Sequence, residues 1–459
     1  MFIDRTEELL FLENMSRREG LKLLFLSGRP GIGKTKLLTH FIGNKTAFFY
    51  SSGYSSSQGQ LTRFKERAFY VSNSRFFRSK KNNSWDVVLK YVFETMAIKI
   101  PLIIIDEFPV LCESVRTMWD LLERNCKEFG KKRDLFIILI GSDCGSMEDE
   151  YLNRTWGDPD AVVKFMELEP LKFEYVASFY PDFSAHKKVY TYAILGGKPA
   201  YLQRFNRMKT VEQNVKKEIL DKDSFLYREP LFLLLKELRE PFLYFAILRA
   251  IAFNKNRVND IVEETGFRDV HMVNKYLYVL RKLYIIKRIC PITDPDPEVS
   301  RKGMYVFNDS FFRFWFRFII PNLCFLEMSD TAHVWRQIIL PDLDDFTRVT
   351  FKEICIQRLK RYNKYQKLPF AAEKIGSWWD RQTAIDAVAF DNSGSCLFCS
   401  CMWTEKKLGV GSLQKLRKKA ERFPGAKEKY YGLFSKMGFS PELKMYAKEH
   451  EEVLLLPYY

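Results

Sequence analysis

The stretch Leu21–Thr35, LKLLFLSGRPGIGKT, decides how the N-terminal third of the chain is read. Its apolar run predicts a buried strand over Leu21–Ser27, and a helix is predicted to open at Lys34. Between them Gly28-Arg29-Pro30-Gly31-Ile32-Gly33-Lys34-Thr35 matches the phosphate-loop pattern G-x-x-x-x-G-K-[ST] in the place that pattern requires, after a strand and opening a helix. The glycines let successive backbone N–H groups curl inward around a phosphate, and the helix N-terminus adds partial positive charge. All eight residues are therefore candidates for holding ATP. Lys34 is expected to reach the β- and γ-phosphates, and the Thr35 hydroxyl to ligate Mg²⁺. The competing reading is a Gly/Pro-rich turn of an ordinary α/β domain, which the strand–loop–helix context disfavours.

Working outward, Phe48–Tyr50, Leu102–Ile105 and Leu135–Ile140 read as further buried strands. Helices are predicted over Trp85–Lys99, where Val88, Tyr91, Val92 and Met96 share a face, and over about Ser114–Phe129. Such alternation of apolar strands with helices predicts a parallel sheet covered on both faces. The Ser/Asn-rich, basic interval Ser51–Ser84 reads as an exposed loop or irregular insertion. The third strand ends in Asp106-Glu107. In register with the phosphate loop, Asp106 is expected to hold Mg²⁺ through water, and Glu107 to orient or deprotonate the attacking water. Lys34 and Glu107 are thus the catalytic candidates. Ser142 follows the last strand, where it either senses the γ-phosphate or merely closes a turn.

From Glu174 to about Leu238 the pattern is helical, interrupted at Gly196-Gly197-Lys198-Pro199. Helices over Phe242–Phe253, Val258–Thr265 and Val270–Leu283, then strands over Ile285–Ile292 and Met304–Phe307, describe a winged helix-turn-helix. The turn Asp294-Pro295-Asp296-Pro297 and the Arg301-Lys302-Gly303 tip lie between those strands. The third helix carries His271, Asn274, Lys275, Arg281 and Lys282. Asn274, Lys275 and Arg281, with Arg301 and Lys302 of the wing, are candidates for contact with duplex DNA. Winged helices also serve as protein-contact modules, and that reading stays open. Beyond residue 321 come a helix (Phe346–Tyr362), strands (Thr383–Phe390, Cys396–Trp403) and a basic helix (Ser412–Phe423). Residues 415–422 (KLRKKAER) with Lys406-Lys407 form a second positive surface. The aromatic run Phe311–Phe318 reads as core rather than as a base-stacking platform. The same holds for Trp378-Trp379, and Cys396, Cys399 and Cys401 read as packed thiols rather than zinc ligands.

The chain has 459 residues, with Lys+Arg 73 against Asp+Glu 57 and a net charge of +16. Collagen-like, disordered and disulfide-scaffold classes are excluded by this composition. The positive balance suits a polyanionic partner. Nine cysteines without framework spacing suit reduced thiols. Charge at Asp4 and Arg5 interrupts any secretory h-region. The most membrane-like stretch, Phe311–Leu326, is short and carries Arg313 and Arg317. A cytoplasmic protein that does not span a membrane is expected.

These residues resemble the archaeal-type ATPases of the STAND/AAA+ group. Phe2-Ile3-Asp4-Arg5-Thr6-Glu7-Glu8-Leu9 is similar to the family's opening box, and Gly196 to Leu202 to its GGxPxYL lid motif. The segment Tyr305–Phe318 (YVFNDSFFRFWFRF) resembles the end of its winged helix. The resemblance implies four parts: a P-loop ATPase core (1–173), a helical lid (174–240), a winged helix (241–320) and a PD-(D/E)XK nuclease-like α/β domain (321–459). It implies an ATP-dependent switch, with Gly197 and Pro199 of the lid motif touching nucleotide. Two departures qualify it. The family's Gly-Arg pair is here Gly157-Asp158, so hydrolysis is expected to be slow, or to draw on Arg154 or on an arginine of a homo-oligomer or protein partner. In the nuclease-like domain Asp386 stands at the aspartate position. Ser400 and Met402 replace the Glu and Lys, Lys352 replaces the helix glutamate, and Glu353 lies about 100° around the helix. Cutting chemistry is not expected. The alternative to the ATPase is a non-enzymatic DNA- or protein-binding adaptor that holds nucleotide structurally.

Overall fold

A computed structural model of the chain describes all residues except 1, 2, 4, 131–133, 143, 155, 157–160, 239, 297 and 298. Phe2 and Asp4 of the opening box, the Gly157-Asp158 pair, Asp143 and Pro297 therefore lie outside the described residues. Two compact units, Met1–Pro170 and Leu171–Tyr459, divide the chain.

The first unit is built on strands β1 (Leu21–Ser27), β2 (Ala47–Ser51), β3 (Leu102–Asp106), β4 (Leu135–Gly141) and β5 (Val162–Glu167). They form one sheet in the order β2-β3-β4-β1-β5, and every pairing is parallel. β1 and β4 are buried along their whole length. Alternate residues serve opposite faces: Leu23, Phe25, Ile103, Ile105, Ile137 and Leu139 join one apolar cluster, while Leu24, Leu26, Ile104, Ile138 and Ile140 join the other. A period of two with both faces apolar is what a helix-covered parallel sheet requires. Because β4 is inserted between β1 and β3, the loop after β4 lies between the other two loops at the carboxyl edge, where ligands of open α/β sheets bind.

The interval read as a loop, Ser51–Ser84, contains a helix over Ser57–Ser72. Ser56 caps it by accepting from the Gly59 N–H at 3.2 Å, an interaction worth about 1 kcal/mol. Leu61, Phe64 and Ala68 bury its inner face. The serines are thus cap and turn chemistry around a helix whose apolar stripe is short.

In the second unit, helices over Pro241–Ala252, Val258–Thr265 and Val270–Lys282 precede the antiparallel pair β6 (Ile286–Ile289) and β7 (Met304–Phe307). A second sheet follows, from β8 (Lys374–Trp379), β9 (Ala384–Phe390), β10 (Ser395–Met402), β11 (Glu428–Ser435) and β12 (Val453–Leu455), in the order β12-β11-β10-β9-β8. The helix Leu340–Lys364 packs one face through Phe351, Ile354 and Leu359, and the helix Val410–Ala420 covers the other through Leu413 and Leu416. Cys399 and Cys401 join the first cluster and Cys396 the second, and burial pushes the Cys396 thiol up to about 11. The aromatics of Phe311–Phe318 are all buried in the core running from the helical segment into this sheet. Buried Lys436 fastens the helix Ala185–Leu195 to this sheet, donating to the Tyr190 hydroxyl at 2.8 Å and to Asp344 at 3.0 Å.

Candidate nucleotide site

The site assembles at the carboxyl ends of β1, β3 and β4. Gly31 (φ 79°) and Gly33 (φ 100°) hold the loop in the left-handed region, where a side chain is strained. A Cβ on Gly33 would point into open space, whereas one on Gly28 would press on the Leu168 carbonyl at 3.0 Å. Gly33 thus borders a cradle and Gly28 a packed wall. Ile32 is buried in the core and anchors the loop's midpoint. Arg29 and Pro30 are half-buried. The Arg29 carbonyl accepts from the Ile32 N–H at 3.3 Å and from Lys34 Nζ at 3.4 Å. The helix Lys34–Ile42 starts here, so its first-turn N–H groups lack intrahelical acceptors.

Lys34 is 6% exposed. Its ammonium donates to the Gly28 carbonyl and, at 3.0 Å, to the Ser142 hydroxyl. Ser142 in turn donates to Glu107 Oε1 at 2.8 Å. Ammonium, hydroxyl and carboxylate therefore form a line across the ends of β1, β4 and β3, which spacing in sequence does not reveal. On the metal side, Thr35 Oγ1 donates to Asp106 Oδ2 at 2.8 Å, and the Glu107 N–H donates to Asp106 Oδ1 at 3.0 Å. Hydroxyl and carboxylate oxygens side by side suit Mg²⁺, which binds few protein oxygens and keeps its remaining positions for water and phosphate. The residues fit that ion. Glu107 itself is left-handed, with φ 51°. Such a conformation costs of order 1 kcal/mol or more in a non-glycine residue and recurs at functional sites.

Two supporting residues lie outside the phosphate loop and the Asp106-Glu107 pair. Ser52, after β2, donates its N–H to the Asp106 carbonyl at 3.0 Å and its hydroxyl to the Glu107 carbonyl, which braces the turn. Only strand order makes it a neighbour. Arg5, of the opening box, donates to the carbonyls of Ile32 at 3.3 Å and Glu169 at 2.8 Å, so it ties the loop to the end of β5. Glu167 pairs with Ser27 in register. Burial, with help from Glu169 and Glu148, pushes its carboxyl up to about 7.

Arg154 is committed elsewhere: it contacts Glu150 at 2.5 Å, Asp120 at 2.8 Å and Glu123 at 3.0 Å. Burial alone would lower its pKa, but those three hydrogen bonds outweigh it and hold the guanidinium above its ordinary value.

The lid motif belongs to the second unit. Gly196 (φ 66°) ends the helix Ala185–Leu195, and Pro199 opens the short helix Pro199–Leu202. Lys198 is buried, bonded to the Tyr201 hydroxyl at 2.6 Å and paired with Glu229 at 3.5 Å. Gly197 accepts from the Leu171 N–H at 2.8 Å, and a Cβ there would fall 1.9 Å from the Leu171 carbonyl oxygen. Gly197→Ala should therefore cost about 2–3 kcal/mol of unfolding free energy in urea titration; an unchanged midpoint would show that this backbone contact yields freely.

Of the DNA candidates, His271, Asn274 and Lys275 are exposed along the helix Val270–Lys282, and Tyr278 beside them is 60% exposed. Arg281 is half-buried. The β6–β7 connection leans on the second sheet: Ile292 donates to the Ser377 carbonyl at 3.0 Å, and Trp379 Nε1 to the Lys302 carbonyl at 3.1 Å. Arg301 and Lys302 keep exposed side chains, although Lys302 pairs with Asp294 at 3.4 Å. Asp386, the aspartate singled out from sequence, accepts from the Cys401 N–H at 2.9 Å and pairs with Lys352 at 2.7 Å. Glu353 pairs with Lys287 at 3.6 Å. An ammonium thus neutralises Asp386. Among the described residues no helix is long and apolar enough to cross a membrane.

Residues 2–205 match the ATPase domain described as predominantly from Archaea, and residues 315–419 match a family of archaeal and bacterial proteins of unknown function. An uncharacterised protein of Methanocaldococcus jannaschii is 30% identical over 464 aligned residues, which cover 99% of this chain and 98% of that one. The Walker-type ATPase of Pyrococcus abyssi superposes with a TM-score of 0.53 at 18% identity, covering 69% of this chain and 96% of that one. The ORC2 protein of Aeropyrum pernix gives a TM-score of 0.40 at 14% identity, covering 72% and 96%.

Proposed function

Because the chain belongs to the archaeal-type ATPase family, we propose that it is a nucleotide-dependent switch that binds ATP with Mg²⁺, hydrolyses it slowly and associates with duplex DNA. The line from Lys34 through Ser142 to Glu107 carries this reading. In it Lys34 grips the terminal phosphates, Ser142 reports on the γ position, and Glu107 holds the attacking water and takes its proton. Thr35 and Asp106 would hold Mg²⁺, which would neutralise charge on the phosphate oxygens. Arg154 already satisfies three carboxylates, so the slow rate follows from the lack of a positioned arginine from that helix. An arginine from a second copy or a protein partner would accelerate it.

DNA association is supported by the exposed row His271, Asn274, Lys275 and Tyr278. The pairing of Asp386 with Lys352 supports a nuclease-like domain that does not cut. One experiment tests the whole: phosphate release with and without duplex DNA, alongside binding at several salt concentrations. Release that requires Mg²⁺, with log affinity for DNA falling linearly in log salt, is expected. Absence of turnover in both conditions would leave the non-enzymatic adaptor, and a flat salt line would remove phosphate contacts from the reading.

A further inference from the structure

Two arginines interrupt the aromatic segment, and both line one cavity of about 260 Å³ bounded also by the end of the helix Pro241–Ala252 and by the helix Leu340–Lys364. Four cations and two carboxylates line it. Arg317 donates twice to Asp342 Oδ2, at 2.9 and 2.7 Å, and Arg348 pairs with Asp345 at 3.0 Å. Lys352 reaches Asp386 at 2.7 Å. Arg313 differs. Its Nη2 donates to the Phe346 carbonyl at 3.1 Å and the Thr350 hydroxyl at 2.8 Å, and its guanidinium lies 4.1 Å from the centre of the Phe346 ring. Its Nε is buried and has no hydrogen-bond partner among the described residues, nor does any described carboxylate pair with it. Burial pulls its pKa down to about 10 against the field of Glu353, so it remains charged at neutral pH.

A buried guanidinium hydrogen-bonded only to neutral acceptors, with Glu353 acting on it through its field rather than by contact, recovers little of its desolvation cost. An anion in the adjoining cavity would supply a counter-charge in contact. We propose that this cavity is a phosphate-binding site, taking the phosphoryl dianion of a small molecule: inorganic phosphate or the terminal phosphate of a small monoester. Planar guanidinium forks match phosphate oxygens in pairs, and three guanidinium side chains line this one cavity. The cavity, at about 260 Å³, is smaller than the usual drug-sized pocket and leaves no room for a run of polymer backbone. The occupant is therefore a free small anion. Because the lining comes from three segments, its occupancy braces the joint between the helical segment and the second sheet.

The test uses the full chain carrying Lys34→Ala, which removes the phosphate loop as a competing site, so its outcome is independent of the ATPase reading. Sodium phosphate and glycerol 3-phosphate are titrated by calorimetry and thermal melting against sodium chloride at matched ionic strength. Phosphate or glycerol 3-phosphate should bind and raise the melting midpoint where chloride does not. Tighter binding of glycerol 3-phosphate assigns a monoester, and equal or weaker binding assigns free phosphate. Adding Arg313→Met should weaken binding at least about tenfold, and Arg348→Ala, at an exposed side chain, should weaken it less but in the same direction. Binding by neither ligand, an equal response to chloride, or full affinity in both variants would overturn the site.

Discussion

Glu107→Gln should retain ATP and lose its hydrolysis, with single-turnover phosphate release falling by about two to four orders of magnitude, the range general-base catalysis contributes. Glutamine keeps an oxygen for the Ser142 hydroxyl, which now donates to Glu107 Oε1 at 2.8 Å, so the geometry of the turn has little reason to change. Ser52 and the Asp106 side chain hold the backbone on either side through bonds that do not involve the carboxylate lost. What disappears is the carboxylate assigned to accept a proton from the attacking water. Filter binding of labelled ATP beside phosphate release separates the readings: trapping without turnover identifies an ATPase. A variant as inactive as its parent would instead describe an adaptor that never hydrolysed.

Lys34→Ala should weaken ATP binding by about a hundredfold or more, since several charge-assisted contacts of about 1.5–3 kcal/mol each vanish together. The folded state should barely register the change. Lys34 donates to the Gly28 carbonyl and the Ser142 hydroxyl, and removing a buried ammonium also removes its desolvation cost. Isothermal titration with ATP, ADP and AMP gives the decisive pattern: the loss should be steepest for ATP and slight for AMP, whose single phosphate does not reach the ammonium. Wild-type ATP affinity in this variant would end the phosphate-loop account.

How far residues alone carried the reading depends on how local the physics is. Leu21–Ser27 and Leu135–Gly141 were legible because full burial on both faces demands uninterrupted apolar runs. The phosphate loop was legible because its glycine spacing is a backbone requirement. β5, β8, β11 and β12 passed unseen. Val162–Glu167 and Lys374–Trp379 mix polar with apolar residues and are only partly buried, so their strand character comes from the neighbours they pair with. The helix Ser57–Ser72 was hidden by serines that act as its caps.

The candidate site divides along the same line. Gly28–Thr35 and Asp106-Glu107 announce phosphate and magnesium chemistry by residue type and spacing, since a loop that curls around an anion needs little beyond its own backbone. That Ser142 stands between Lys34 and Glu107, that Ser52 braces Asp106, and that Arg154 is spent on Glu150, Asp120 and Glu123 came from strand order and helix packing. Arg313 and Arg317 looked alike as letters, and their partners distinguished them: a carboxylate for Arg317, a carbonyl and a hydroxyl for Arg313. Local backbone geometry is written in a few adjacent residues. Charge partnership is a property of distance, and distances between remote residues exist only once the chain has folded.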